Sequence, residues 1–166
     1  ADLNSAIKLF HGYFQCLDLG SVLTDTEDIR TLVADRISST SDTFSTFYRS
    51  PASALDADWP AFILEYADNE NRWAGTETDK KTFVFNLYIA YSYDPNDEGS
   101  RELAEKAISD AVGELYRDVF ESPDTLAISN GWTRASNVSW GYGQTGDIPI
   151  RMAMMQISVT VMQDRS

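Results

Sequence analysis

Few residues of this chain could act as nucleophiles or metal ligands. The single cysteine is Cys16, and the single histidine, His11, lies five positions before it. A serine or cysteine nucleophile needs a neighbouring base, and His11 is the only imidazole that could serve. One cysteine cannot form an internal disulfide, and one cysteine with one histidine cannot supply a structural zinc site. These residue types favour neither nucleophilic nor zinc chemistry.

Carboxylate pairs, which act as general acids and bases in many enzymes, occur by chance in so acidic a chain. The densest group, Asp94, Asp97 and Glu98, precedes a helical pattern, where helix capping accounts for it. Residues 94–99 also share the start of a calcium-binding loop, but Glu105, the nearest acid for the closing position, falls inside the helix. We interpret these acids as a helix start with at most a weak affinity for cations.

Glycines and tryptophans suggest nucleotide binding only superficially. Residues 141–146 have the glycine spacing of a dinucleotide-binding loop, but they precede a strand pattern, whereas that loop leaves a strand and opens a helix. The four tryptophans are assigned to core packing or subunit contacts and not to base stacking: Trp59, Trp73, Trp132 and Trp140. The sequence therefore predicts a protein that is not an enzyme, with no catalytic residue, no metal and no cofactor.

The net charge of the chain limits what it can bind. Its 26 acidic and 13 basic side chains give a charge of -13 at pH 7. This excess argues against tight binding to nucleic-acid phosphates or to anionic lipid. The 166 residues are 43% hydrophobic, which is enough for one folded domain. No apolar run approaches the ~20 residues that cross a bilayer, so neither a membrane span nor an export signal is expected.

Apolar residues at helical spacing predict two helices. A capping-box pattern at residues 24–27 and the apolar face that follows predict a helix at about 25–38. A second helix of about 24 residues follows the turn at 94–97 and ends at Pro123. Its apolar stripe is Leu103, Ala107, Ile108, Ala111, Val112, Leu115 and Val119. Residues 1–23 have weaker helical spacing and predict an N-terminal arm or short helix outside a single domain spanning residues 24–166.

Alternating apolar residues predict strands at about 60–66, 82–93 and 148–162, and a short one near Leu126 and Ile128. The polar segment 67–81 and the glycine-rich segment 141–146 are predicted as loops. In the last of these strands, the apolar residues stand at even positions up to Met154 and at odd positions from Met155. This change predicts a bulge or a strand that passes between layers. The resulting order, α-β-β-α-β-β, predicts an α+β fold in which two helices pack on one face of a mostly antiparallel sheet.

The order of these elements resembles a known family. The segments that carry the resemblance are the N-terminal helix, Pro60-Ala61-Phe62-Ile63-Leu64-Glu65, the polar segment, Phe83-Val84-Phe85-Asn86-Leu87-Tyr88-Ile89, Asp94-Pro95-Asn96, the striped helix and Gly146-Asp147-Ile148-Pro149-Ile150-Arg151. Together, over roughly residues 24–163, they resemble the phage lambda U-like tail terminator (tail-completion) proteins of long-tailed phages.

The resemblance implies a structural virion protein located in the neck of the phage tail and assembled in the host cytoplasm. It would form a homo-hexameric ring at the head-proximal end of the tail tube, stop tube polymerisation and provide the head-tail joining surface. Its implied partners are further copies of itself, the tail tube protein and the head-tail connector or stopper protein. Viral DNA would pass transiently through the ring without specific binding, and no membrane is involved.

The family supplies no motif-matched functional residues, so candidate contact residues come from this sequence alone. Subunit and tube contacts are predicted in the aromatic link before the first strand, whose aromatic residues could instead cover an edge of the core, and in the polar segment 67–81. The candidates are Phe44, Phe47, Tyr48, Glu70, Arg72, Trp73, Lys80 and Lys81. The basic members of this set give the segment a local positive charge that an acidic neighbour would attract.

Two other interpretations stay open. The chain could be another neck component, such as a head-tail connector, a stopper or a tube-like subunit, since these are also small β-rich modules. It could also be a small acidic enzyme or ligand-binding protein, which would need a pocket with convergent polar groups and a carboxyl group of displaced pKa.

The acidic composition yields a first prediction. The chain has 17 Asp against 9 Glu and 9 Arg against 4 Lys, a balance typical of proteins from halophilic hosts, although an acidic mesophilic protein can share it. At ~1 M salt the Debye length is only ~3 Å, so self-repulsion would be screened. We expect the thermal midpoint to rise between dilute buffer and molar potassium chloride in a calorimetric scan. An unchanged midpoint would contradict the halophilic interpretation.

Overall fold

The computed structural model describes residues 26–44, 47–48, 60–73 and 78–164. Its elements are helix α1 (Thr26–Ser38), a short 3-10 turn (Asp42–Phe44), strands β1 (Phe47–Tyr48), β2 (Ala61–Trp73) and β3 (Thr78–Ser92), helix α2 (Glu98–Glu114), a π-helical turn (Leu115–Val119), and strands β4 (Gly131–Thr145) and β5 (Ile148–Asp164). The predicted arm at residues 1–23 lies outside the described residues. No helix in the described ranges is long and apolar enough to span a membrane.

The strands form one sheet in the order β1-β2-β3-β5-β4. The two-residue strand β1 runs parallel to β2, and every other pairing is antiparallel. Strands β3 and β5 pair without interruption from Thr78 opposite Asp164 to Ser92 opposite Ile150. The α+β fold with a mostly antiparallel sheet is therefore confirmed, with β1 as an additional short strand.

Both helices pack on the same face of this sheet. Alternate residues of β3 and β5, such as Leu87 opposite Met155 and Phe85 opposite Ile157, are buried in one cluster with residues of both helices. Helix α1 contributes Ile29, Val33 and Ile37, and α2 with its π-helical turn contributes Ile108, Ala111, Val112, Leu115 and Val119. Each helix thus buries an apolar stripe at 3.6-residue spacing against side chains at two-residue spacing.

Polar contacts fix the ends of the helices. The Asp97 carboxylate accepts a hydrogen bond from Gly99 N at 3.0 Å, as a helix N-cap does, so the predicted helix start is confirmed. At the end of α1, the Arg36 guanidinium donates to two acceptors that follow α2 in the chain. These are Thr125 Oγ1, at 3.0 Å, and the Asp118 carbonyl, at 3.3 Å. Arg36 thereby joins α1 to the segment that follows the second helix.

The largest error of the sequence prediction concerns β4. Residues 141–146 were expected as a loop, but residues 141–145 form the end of a 15-residue strand, and Leu126 and Ile128 lie in a turn instead of a strand. Glycines weaken local strand propensity, but the long apolar strand β5 supplies a pairing partner that overrides it. A bulge at residues 136–139 holds Asn137 at φ 54°, a conformation that asparagine tolerates, and its amide donates to Gln156 Oε1 at 3.0 Å.

Three further expectations are corrected. The change of apolar positions between Met154 and Met155 is not a bulge in β5, because β5 keeps one register with β3 throughout. Strand β5 instead carries apolar residues on both of its faces. The bulges lie in β4 and, at Tyr66, in β2. The polar segment 67–81 is not a projecting loop, since β2 and β3 remain paired out to residues 73 and 79. Leu103 lies outside the buried stripe and is 56% exposed, and Ala104 is buried beside it.

The burial pattern predicts how two leucines differ. Replacing the buried Leu87 with alanine leaves a cavity under both helices, so Leu87→Ala should lower the free energy of unfolding by about 2–5 kcal/mol. The exposed Leu103 provides the matched control, and Leu103→Ala should change it by less than about 0.5 kcal/mol. Urea unfolding followed by circular dichroism measures both values. Equal effects would contradict the assignment of the core.

Candidate assembly surfaces

The acids that suggested a cation site are engaged in turn and helix-start contacts. Asp94 Oδ1 accepts from Asn96 N at 2.9 Å, and Asp97 Oδ1 accepts from Gly99 N. Within the described ranges, no three His, Cys, Asp or Glu side chains converge as a possible metal-binding group. These local contacts explain why the acids occur at this position.

The predicted contact residues whose side chains are described do not converge on one surface. Phe44 is fully buried and packs edge to face on Phe62, with ring centroids 4.9 Å apart, so it has no exposed area left for a second subunit. Phe47 is half-buried and also contacts Phe62, at 5.9 Å. Lys80 lies elsewhere, with its ammonium group 5.8 Å from the ring centroid of Trp132. Packing against β2 gives the aromatic link a role in this chain's own core.

For most of the remaining predicted residues, the structure describes only the position of the backbone. Tyr48 lies in β1, and Glu70, Arg72 and Trp73 lie in the second half of β2, but their side chains fall outside the described part of the structure. Lys81 lies in β3 and is half-buried.

An aromatic surface on β4 was missed by the site prediction, although its tryptophans had been assigned to core or subunit contacts. β4 is an edge strand, and it exposes 41% of Trp132, 47% of Trp140 and 62% of Tyr142. Exposed aromatic groups on an unpaired edge strand are unusual in a monomer, because such edges invite pairing with another chain. We call β4 with these three side chains the aromatic edge.

Arg151 supports the end of the aromatic edge. Its guanidinium carbon lies 4.5 Å from the ring centroid of Tyr142 and 5.9 Å from that of Trp140. It donates to both carboxylate oxygens of Glu105 on α2, each at 3.0 Å, and to the Gly141 carbonyl at 2.9 Å. Only 12% of the Arg151 side chain is exposed. The rings are thus held by a largely buried cation that is itself fixed to the second helix.

The acids of this chain avoid the aromatic edge. Residues 125–163, which include all of β4 and almost all of β5, contain one acid, Asp147, and two arginines, Arg134 and Arg151. The rest of the chain therefore carries the whole negative excess. This pattern was visible in the sequence and could have pointed to β4 as a contact surface, because like-charged copies can approach most closely where the charge is lowest.

Described residues protect each edge of the sheet over only half of its length. At the start of β4, Thr133 N donates outward to the Pro123 carbonyl at 2.9 Å. At the start of β2, β1 pairs with Phe62 and Ile63, and Arg30 Nε donates to the Leu64 carbonyl at 2.9 Å. No described residue hydrogen-bonds the outward-facing backbone groups of β4 beyond its bulge or those of β2 from residue 66 to residue 73. We call these two stretches, residues 138–145 and 66–73, the open halves.

Tyr66 marks the point where the open half of β2 begins. Its hydroxyl donates to the Glu27 carboxylate, and its ring lies 5.4 Å from the Arg30 guanidinium carbon. Desolvation of the hydroxyl and this hydrogen bond raise the pKa of Tyr66 above its ordinary value, because both favour the neutral phenol. The open halves thus combine backbone donors and acceptors with aromatic rings, which suits protein recognition.

The sequence was compared with protein-family models and with curated proteins. No protein-family model matches the chain, and a search of curated proteins finds no match. Its function must therefore be argued from its own surfaces and from the order of its elements.

The Arg151 contacts predict a measurable contribution to stability. Arg151→Lys keeps the charge but loses the paired bonds to Glu105 and the bond to the Gly141 carbonyl. The half-exposed ion pair itself contributes about 0–1 kcal/mol, so the total loss should be about 1–2 kcal/mol. Arg134→Lys, on the exposed side of β4, should change the unfolding free energy by less than about 0.5 kcal/mol. Denaturant unfolding tests this, and equal losses would contradict it.

Proposed function

We propose that this chain is a tail terminator, a subunit of a ring that closes the head-proximal end of a phage tail tube and offers the head a joining surface. The observation that carries this proposal is the sheet with two half-open edges, one of them aromatic and free of acids. The resemblance in the order of its elements, over roughly residues 24–163, supplies the specific identity of the ring.

Ring formation follows physically from two different open edges on one subunit. When one surface of a subunit binds a different surface of the next, the contact repeats head to tail and forms a closed ring if the rotation closes. The aromatic edge and the open half of β2 are two such surfaces on opposite sides of the sheet. Such a ring needs no reacting group, only contact surfaces for the tube and the connector.

The test is electron microscopy of particles assembled without this protein, compared with particles from a strain in which the wild-type protein is supplied in trans. A terminator predicts overlong tubes without heads, because tube polymerisation no longer stops. Normal lengths should return with the supplied protein. Tail length and the state of the upper tail end are the measured quantities.

Other phenotypes would contradict this assignment. Tails of normal length that fail to join heads, or filled heads that lose DNA, would identify a connector or stopper instead. Unaffected virions would exclude a role in the neck and favour a small acidic ligand-binding protein.

A further inference from the structure

We propose that the open half of β4, residues 138–145, pairs as a β-strand with the open half of β2, residues 66–73, of a second copy of this chain. This inference rests on the proposed ring and specifies the contact that builds it. The sheets of neighbouring subunits would then continue into one another through main-chain hydrogen bonds, with the aromatic edge at the junction.

The backbone of each open half presents groups for this pairing. In an antiparallel ladder, successive residues turn their amide and carbonyl groups to opposite sides. Thr133 N faces outward, and the alternation shifts by one residue at the bulge, so Trp140, Tyr142 and Gln144 present their backbones outward. In a protected edge these groups would be covered, as the Pro123 carbonyl covers Thr133 N at the start of β4.

The same alternation applies to β2. The Leu64 carbonyl faces outward and is occupied by Arg30. Beyond the bulge at Tyr66, the alternation shifts and turns the backbones of Asn69, Asn71 and Trp73 outward. The two open halves are each eight residues long and so match in length.

The direction of the proposed pairing follows from the topology. Three antiparallel pairings separate β2 from β4, so the two edge strands run in opposite directions within one chain. A head-to-tail repeat that keeps the strand direction therefore brings β4 of one copy against β2 of the next in an antiparallel arrangement, the more stable of the two pairings.

Charge selects the second copy as the occupant. Two copies of a chain with a charge of -13 repel each other, and β4 is a surface where this repulsion is smallest, since its only charged residue is Arg134. The open half of β2 carries Asp68, Glu70 and Arg72, a net charge of -1, and the open half of β4 carries no charged residue, because Arg134 lies in its protected half. The contact is thus nearly neutral inside a strongly self-repelling molecule, so a second copy meets the least repulsion there.

The two open halves lie at opposite ends of the sheet along the strand direction. Across the sheet, Tyr66 pairs with Phe85, Phe85 with Ile157, and Ile157 with Ala135. The open half of β2 therefore begins opposite the protected half of β4. Joining the open halves therefore offsets each subunit along the strands relative to its neighbour. Such a stagger tilts the strands and is what closes a sheet into a barrel instead of a flat ribbon.

Proline substitutions at outward-facing positions test the pairing while sparing the bonds within the sheet. Gln144→Pro blocks β4 and Asn71→Pro blocks β2, with Gln144→Ala and Asn71→Ala as matched controls. Size-exclusion chromatography with light scattering is run in molar salt, where repulsion between copies is screened. Circular dichroism and the thermal midpoint report whether each variant is folded.

The expected result is a ring for the wild-type chain and both alanine controls, and a monomer of 18.6 kDa for each proline variant alone. An equimolar mixture of the two proline variants should give a one-to-one pair, because one intact edge of each kind remains. A dimer of Asn71→Pro alone would overturn the proposal in favour of a two-fold contact between β4 strands.

The remaining outcomes separate this inference from the proposed function. Rings formed by both folded proline variants would overturn the strand pairing and leave the ring standing, whereas a monomeric wild-type chain would overturn both. Should a proline variant not fold, Trp140→Ser on the open half is compared with Trp132→Ser on the protected half. Only the first should shift the ring towards monomers, and equal behaviour of the two would contradict the proposal.

Discussion

The uninterrupted pairing of β3 with β5 is the constraint on which the rest of this structure depends. Fifteen residues of β3 each face a partner on β5, so a single register decides which side chains point towards the helices. A slip of one strand by one residue would move either Phe85 and Leu87 of β3 or Met155 and Ile157 of β5 from the core to the opposite face, which makes any other register costly. Both helices, β2 and β4 then take their positions from this central pair.

The outer strands are fixed less completely than the centre. Each has a bulge near its middle, and in each the first half is protected by short local contacts: β1 and Arg30 at β2, and the Pro123 carbonyl at β4. No described residue pairs with the outer backbone of the second halves, and β4 exposes aromatic rings there. Proteins that remain monomeric usually blunt such edges, so this half-protection is a physical reason to expect assembly.

Charge and contact surface are separated in this molecule. The acids lie outside the β4–β5 hairpin except for Asp147 in its turn and Asp164 at its end, and Arg151 links that hairpin to an acid of α2. A strongly negative protein can remain soluble through its acidic surfaces and still self-associate through a nearly neutral one. The tail-terminator proposal draws on this separation, since a ring subunit must bind its own kind without aggregating.

The sequence by itself determined the elements whose apolar spacing is long and regular. Both helices, the capped start at Asp97, the strands β2, β3 and β5 and the α+β class followed from local pattern, because burial on one face leaves a periodic trace. It did not determine β4, whose glycines oppose strand formation locally, or the burial of Phe44 against Phe62. Nor did it show which strands form the edges, so the open halves were beyond its reach. These features depend on partners distant in the chain: β5 stabilises β4, and strand order alone decides which backbone groups lack a neighbour.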